Sequence, residues 1–368
     1  MSAMSDEARR SSLRRAMLSG LAAAAVVVLG IYFGSRRLRD FDAALVSYAG
    51  ASVFSAFGLG YRYGMWLERP PTRLYWRRGW QVFFQRLPIN VPKLFVLAWD
   101  NLIAQRFIEK RSRLRWLAHL FIAWGCILAA AVTFPLSFGW IRFESSPSAP
   151  LVYRAYVFGI GLFRFSSDGP LAPLVFNVLD IAAIMVLAGI ALAMWRRARD
   201  RGAIAVQQLA NDFLPLLLLF AVSVTGLFLT FSTHFMRGIH YGFLSELHAI
   251  TVIFTLLYLP FGKFFHVFQR PAQLSIKFYK EAGARGGQAH CARCGGGYAT
   301  TMHVADLKKV EAALSIRFES AGAHYQDVCP GCRRKMIAIA QDGLWRAAHS
   351  ASSGPIRAGA GAGTATEK

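Results

Sequence analysis

Pro173-Leu-Val-Phe-Asn-Val-Leu-Asp-Ile-Ala-Ala-Ile-Met-Val-Leu-Ala-Gly-Ile-Ala-Leu-Ala-Met-Trp195 runs for 23 residues with a single charge, Asp180, and stops at Arg196-Arg-Ala-Arg199. A helix of that length rises about 35 Å, enough to cross a hydrocarbon core of about 30 Å. The stretch has no period-2 alternation, so a helix is expected rather than a strand of a barrel. Five further stretches share its character: Met17–Phe33, Phe41–Tyr61, Trp116–Phe138, Phe213–Phe231 and Glu246–Phe268. Trp116, Trp140 and Trp195 fall at predicted helix ends, where an interfacial aromatic belt belongs.

Composition agrees with a chain built for the bilayer. Of 368 residues 55% are apolar and 17% charged, yet 42 Lys and Arg against 20 Asp and Glu leave a net charge of +22. The cations gather where apolar runs stop, which is a mark of membrane topology and not of a phosphate-tracking surface, so nucleic acid is not an expected partner. Arg73, Arg77, Arg78, Lys110, Arg111, Arg113 and Arg115 crowd the segment after the second span. Arg196, Arg197, Arg199 and Arg201 fill the connection after the fourth. Placing both inside puts both termini in the cytoplasm and turns the connections Ser145–Gly169 and Thr233–Ser245 outward, in an inner-membrane protein. Arg36, Arg37 and Arg39 then stand on the wrong side and count against the first span.

The basic start, residues 1–16, reads as a cytoplasmic tail before an uncleaved first span. A cleavable signal peptide is the rival reading, but no small-x-small site with a polar flank follows. Residues 17–271 form the expected helical membrane domain. Within it, residues 69–115 mix Trp, Phe and Leu with Arg and are expected to lie along the inner surface as amphipathic helices. After Arg270-Pro271 the composition turns soluble; residues 285–345 form a small domain, and the Gly/Ala-rich tail 352–368 is expected to be disordered. No internal repeat is visible, which argues against an inverted-repeat transporter.

His119 enters the third span one turn after Arg115, and His266 leaves the sixth one turn before Arg270. A haem needs two axial imidazoles from separate helices at one depth, and this pair can supply them, with Arg115, Lys263 and Arg270 as cations for the propionates. The bland reading is that such histidines simply face headgroups. His248 lies 18 residues before His266. On a continuous helix that places it on the same face, about 27 Å away at the outer end, with Pro260 perturbing the path.

Arg111-Ser-Arg-Leu-Arg-Trp-Leu-Ala-His119, running into Trp124-Gly125, resembles the cytochrome b (gamma) subunit of respiratory nitrate reductase and the related membrane subunits of heterodisulfide-reductase-type complexes. The Leu259-Pro-Phe-Gly-Lys-Phe-Phe-His266 element, preceded by His248, resembles that family's last helix. The likeness covers about residues 69–271. It implies that His119 and His266 ligate a haem b near the cytoplasmic face. A second haem would use His248, but the family's partner histidine falls here at Ala129. His234 or His240 is the replacement at the right depth. Without a second haem, His248 could serve a quinone, with Asp180 as a proton carrier at an outer-leaflet site. The alternative is that Asp180 bonds a neighbouring helix.

Four of the five cysteines form two pairs, Cys291-Ala-Arg-Cys294 and Cys329-Pro-Gly-Cys332, with 34 residues between them. Cys126, alone in an apolar run, reads as packing. Paired C-x-x-C motifs give a tetrahedral sulfur site for zinc or one iron. Both pairs are similar to rubredoxin knuckles, although Arg333 stands where rubredoxin usually has glycine, and the gap, with a short helix expected over Asp306–Leu314, is longer.

The expected fold is therefore an all-α membrane protein of about six transmembrane helices in a haem-binding bundle, with a small C-terminal metal domain. The expected function is a b-type cytochrome subunit of an oxidoreductase complex. It would carry electrons between the quinone pool and a cytoplasmic iron–sulfur, molybdopterin or flavin partner, as the resemblance implies. A secondary transporter and a membrane scaffold with a zinc ribbon are the rivals.

Overall fold

The computed structural model describes residues 6–146, 148–200, 208–316, 319–320 and 323–352. They fall in two compact units, Met1–Phe278 and Tyr279–Lys368.

The first unit is a helical bundle. Its long helices are α1 (Asp6–Gly34), α2 (Val46–Leu67), α6 (Arg113–Ser137), α7 (Leu171–Arg199), α8 (Leu214–Phe235) and α9 (Tyr241–Tyr258). These are six helices long and apolar enough to cross a membrane, which makes the chain a multi-pass membrane protein. Their outward faces stay apolar, with Val26, Ile184, Leu217 and Phe254 all exposed, as contact with lipid tails requires. Each helix packs on the next in the order α1, α2, α9, α8, α7, α6.

Small residues let backbones approach where no hydrophobic gain in lipid would drive association. Gly60 and Gly64 of α2 lie on α1, and a Cβ on Gly60 would meet the Ser19 carbonyl at 2.6 Å. Gly125 of α6 and Gly189 of α7 pack reciprocally: a Cβ on either would lie only 2.7 Å from a backbone carbonyl of the facing helix, Ala182 and Ala118 respectively. Near the C-terminal end of α6, Phe138 joins Ile31, Tyr48, Ala51 and Leu256 in a buried cluster.

Four features depart from the sequence-based expectations. The N-terminal residues read as a tail are helical from Asp6 onward and continue into α1, where Arg15 grips Glu68 at the end of α2 with two bonds of 2.8 and 2.7 Å. The bundle is not purely α-helical: the connection after α6 is an antiparallel meander of β1 (Ile141–Ser146), β2 (Ala149–Val157) and β3 (Ile160–Ser166). Phe158 and Gly159, both at positive φ, close its second hairpin in the way a two-residue turn demands. The wrong-side cation Arg36 is neutralised by Asp40, through bonds of 2.7 Å from Nε and Nη2, and Arg142 of β1 donates to the same carboxylate.

The fourth departure bears on function. The sixth span is not one helix to Phe268: α9 ends at Tyr258, a turn covers Leu259–Phe264, and α10 (Phe265–Gln273) begins afresh. His248 and His266 therefore do not share a helix face. Pro260 supplies no N–H and would clash with the carbonyl four residues back, so the ladder ends there. The Leu256 carbonyl, four residues before Pro260, accepts from Ser55 Oγ of α2 at 2.6 Å, and the Arg62 guanidinium of the same helix bonds the Pro260 and Gly262 oxygens of the turn, the latter at 3.2 Å, and stacks 4.4 Å over Phe265.

Residues 69–115 hold α3 (Pro70–Gln85), α4 (Leu87–Ala98), a π-turn at Trp99–Ile103 and the single turn α5 (Arg106–Glu109). Helix α11 (Ser275–Ala284) leads out of the bundle.

The second unit holds a hairpin, β4 (Gln288–His290) with β5 (Gly297–Thr300), then α12 (Thr301–Ala313), a minimal hairpin β6 (Glu319–Ser320) with β7 (Ala323–His324), and α13 (Pro330–Ser352). Helix α12 starts five residues before the expected Asp306, because Thr300 caps it by accepting from the His303 N–H at 3.3 Å. Of the tail read as disordered, Ser352 ends α13, and residues 353–368 lie outside the described residues.

Candidate metal centre and histidine pair

The four module cysteines converge. Their sulfurs all lie within 4.8 Å of one another, and Cys294 and Cys329 are 3.9 Å apart. A tetrahedral site with metal–sulfur bonds of about 2.3 Å has edges of about 3.8 Å, so the set fits one ion. Backbone amides support it: the Cys329 N–H donates to Cys291 Sγ at 3.2 Å, the Arg293 N–H to the same sulfur at 3.4 Å, and the Cys332 N–H to Cys329 Sγ at 3.4 Å. The Cys329 amide is the foremost cause holding the Cys291 thiol down to about 6. Hydrogen bonding with the Cys329 sulfur leads the effects that push Cys332 up to about 12. Four sulfurs this close resist collective ionisation unless a cation joins them, which is the condition a bound metal satisfies.

The two pairs are not equivalent. Cys291 and Cys294 sit at the tip of the β4–β5 hairpin, with Gly295 at φ +70° closing the knuckle by donating to the Cys291 carbonyl at 2.9 Å. Cys329 and Cys332 instead open α13. The likeness of the two knuckles thus stops at their sequence. Arg333 is a structural wedge: it stacks 4.4 Å over Tyr325 and donates to the Val328 carbonyl at 2.7 Å and Gln326 Oε1 at 2.8 Å.

In the membrane unit, His119 of α6 and His266 of α10 come together with ring centres 6.1 Å apart. Each has its Nδ1 committed. His119 Nδ1 is hydrogen-bonded to the Gln105 side-chain amide at 2.6 Å, and His266 Nδ1–H donates to the Lys263 carbonyl. Both Nε2 atoms are left without a hydrogen-bond partner among the described residues. Two imidazoles bound at about 2 Å on opposite sides of one metal have ring centres about 6 Å apart, so the donor set fits a bis-imidazole haem.

The cations around the pair divide. Lys263 is taken by Asp212 in an ion pair, Arg270 stacks 4.4 Å over Phe107, and Arg115 is exposed. Arg197 also binds this corner, donating to the Asp212 carbonyl at 3.1 Å. Sequence reading missed three residues here: Gln105, Arg62 and Asp212. Asp212 had a signal, as a lone acid beside a basic helix end. Gln105 and Arg62 had none, because their roles depend on segments distant in the chain.

No protein-family model, curated protein or solved structure matches the chain. Geometry alone must therefore carry the function.

The remaining candidates are not drawn together. His248 Nδ1 bonds Thr225 Oγ1 of α8 at 2.9 Å, while Asp180 accepts from Thr230 Oγ1 at 2.8 Å. Thr225 and Thr230 are five positions apart on α8, about 7.5 Å along the axis. Asp180 is thus engaged with a neighbouring helix, and Asn177 bonds its own Pro173 carbonyl at 2.8 Å. His234 and His240 are exposed at the α8–α9 turn, and among the described residues no bond or ring contact joins either to His248.

Proposed function

We propose that this protein is a b-type cytochrome membrane subunit that passes electrons between the quinone pool and a redox partner at its cation-rich face. The observation that carries the reading is the His119–His266 pair, 6.1 Å apart, with both Nδ1 atoms tied and both Nε2 atoms presented. A haem held there supplies one-electron transfer at the membrane surface. The two histidines would hold it, with the Gln105 amide and the Lys263 carbonyl fixing their ring orientation, and Arg115, one turn before His119, would be a cation for a propionate. The positive-inside rule assigns this end to the cytoplasm, because Arg115, Arg196 and Arg197 cluster at it. The four-cysteine unit holds zinc or one iron; with zinc it is a structural docking module, with iron a second redox centre.

A dithionite-reduced minus oxidised spectrum of protein purified from haem-replete cells tests the proposal. A b-type band is expected, and His119→Ala and His266→Ala should each abolish it. Wild-type protein without the band removes the cytochrome reading.

A further inference from the structure

We infer that Gln105 is a positioning residue, built to hold His119 in the tautomer that presents Nε2 as a ligand. For its link to a haem the inference rests on the proposed b-type reading; the tautomer itself does not.

Gln105 is a buried polar residue, 5% exposed, in a membrane unit where an unpaired amide is costly. Its backbone adopts φ 51° and ψ 37°, a left-handed conformation that costs a non-glycine residue about 1 kcal/mol or more. Something must hold it there. Two indoles from α6, the helix that carries His119, do so: Trp116 Nε1 donates to the Ala104 carbonyl at 2.7 Å and Trp124 Nε1 to the Ile103 carbonyl at 3.2 Å. The π-turn Trp99–Ile103 is thereby stitched along α6 and delivers the Gln105 side chain to His119.

Gln105 Nε2 donates to the Leu102 carbonyl at 3.4 Å, which turns Oε1 toward His119. A carbonyl oxygen only accepts, so the proton on His119 lies on Nδ1, and Nε2 carries the lone pair. An acceptor on the far nitrogen also raises ligand basicity and favours the more positive state of a bound metal.

Solid-state ¹⁵N NMR of the haem-free full chain with labelled histidine, His119 assigned by its loss in His119→Ala, tests the tautomer directly. Wild-type protein should show Nδ1 protonated and Nε2 bare. Gln105→Leu should shift population to the Nε2–H form, and Gln105→Glu should move the Nδ1–H signal further toward a strong hydrogen bond. If neither variant alters the His119 signals, the inference is overturned, and the Glu variant decides the matter if the Leu variant does not fold. In haem-loaded protein the reduction potential should rise in the order Gln105→Glu, wild type, Gln105→Leu; coincident potentials also overturn it. A wild-type protein that takes up no haem removes the cytochrome reading but leaves the tautomer comparison intact.

Discussion

At the level of single residues, buried charge is handled by pairing. Asp40, with 8% of its side chain exposed, holds Arg36 and Arg142, and Arg142 reaches on to Glu144 at 2.7 Å. The hydrogen bond from Arg36 is the foremost reason that the Asp40 carboxyl sits below its ordinary range, with burial opposing and the Arg142 charge adding to it. An unfolded Asp binds a proton near pH 4. Between that value and the lower folded one the unfolded chain holds more protons, so stability rises with pH there. The contribution is complete above about pH 5 and lost as pH falls through the folded value. Asp40→Asn should cost about 1 kcal/mol of local stability, because Arg36 loses its carboxylate partner and Arg142 keeps only Glu144. Hydrogen exchange of the β1 and β2 amides should read this as faster opening in the variant at pH 7. The difference should narrow in acid.

At the level of elements, the break after α9 places the histidine pair. Were the helix continuous through Pro260, His266 would lie about 27 Å along the axis from His248, on a single rod. The turn at Leu259–Phe264 instead lets α10 start in a new direction, with Phe265 buried and His266 beside His119. Arg62 caps the break from another helix. Arg62→Leu removes the donor for two carbonyls and the stacking on Phe265. A loss of about 2 kcal/mol is expected in thermal melting and, on the proposed cytochrome reading, a lower pyridine-haemochrome content at unchanged expression. Unaltered occupancy would show that α10 holds its place without the cap.

At the level of the whole molecule, the two units depend on different forces. The bundle is held by small-residue packing and interhelical hydrogen bonds such as Ser55 Oγ to the Leu256 carbonyl at 2.6 Å and Thr230 Oγ1 to Asp180 at 2.8 Å. The second unit has a small core built around Val304, Val310 and Val328, with the buried Asp306 accepting from Tyr279 at 2.9 Å. A core of that size supplies only a few kcal/mol, whereas a four-thiolate zinc site contributes about 10 kcal/mol or more. Metal removal by a strong chelator, or Cys291→Ala, should therefore open the second unit to trypsin at Arg293 and Lys308. The melting transition of the bundle should stay where it was. Elemental analysis and visible absorption of the intact protein distinguish zinc from iron.

The six spans and the four-cysteine set were legible in the chain itself, because length, hydropathy and the C-x-x-C spacing act locally and need no partner. Depth along the chain suggested His119 and His266 as neighbours, but their contact depends on the break after α9. Three things were decided only by the fold. The meander after α6 carries alternating side chains, but its strands exist only by pairing with one another. The break at Pro260 was visible as a perturbation, yet its consequence depended on Ser55 and Arg62 of α2 being there to take the Leu256 carbonyl and the carbonyls of the turn. The tautomer of His119 was settled by Gln105, a residue whose meaning arises only when two indoles hold its strained backbone against α6. Local patterning sets what a segment is, while the satisfaction of buried polar groups, a long-range condition, sets what it can do.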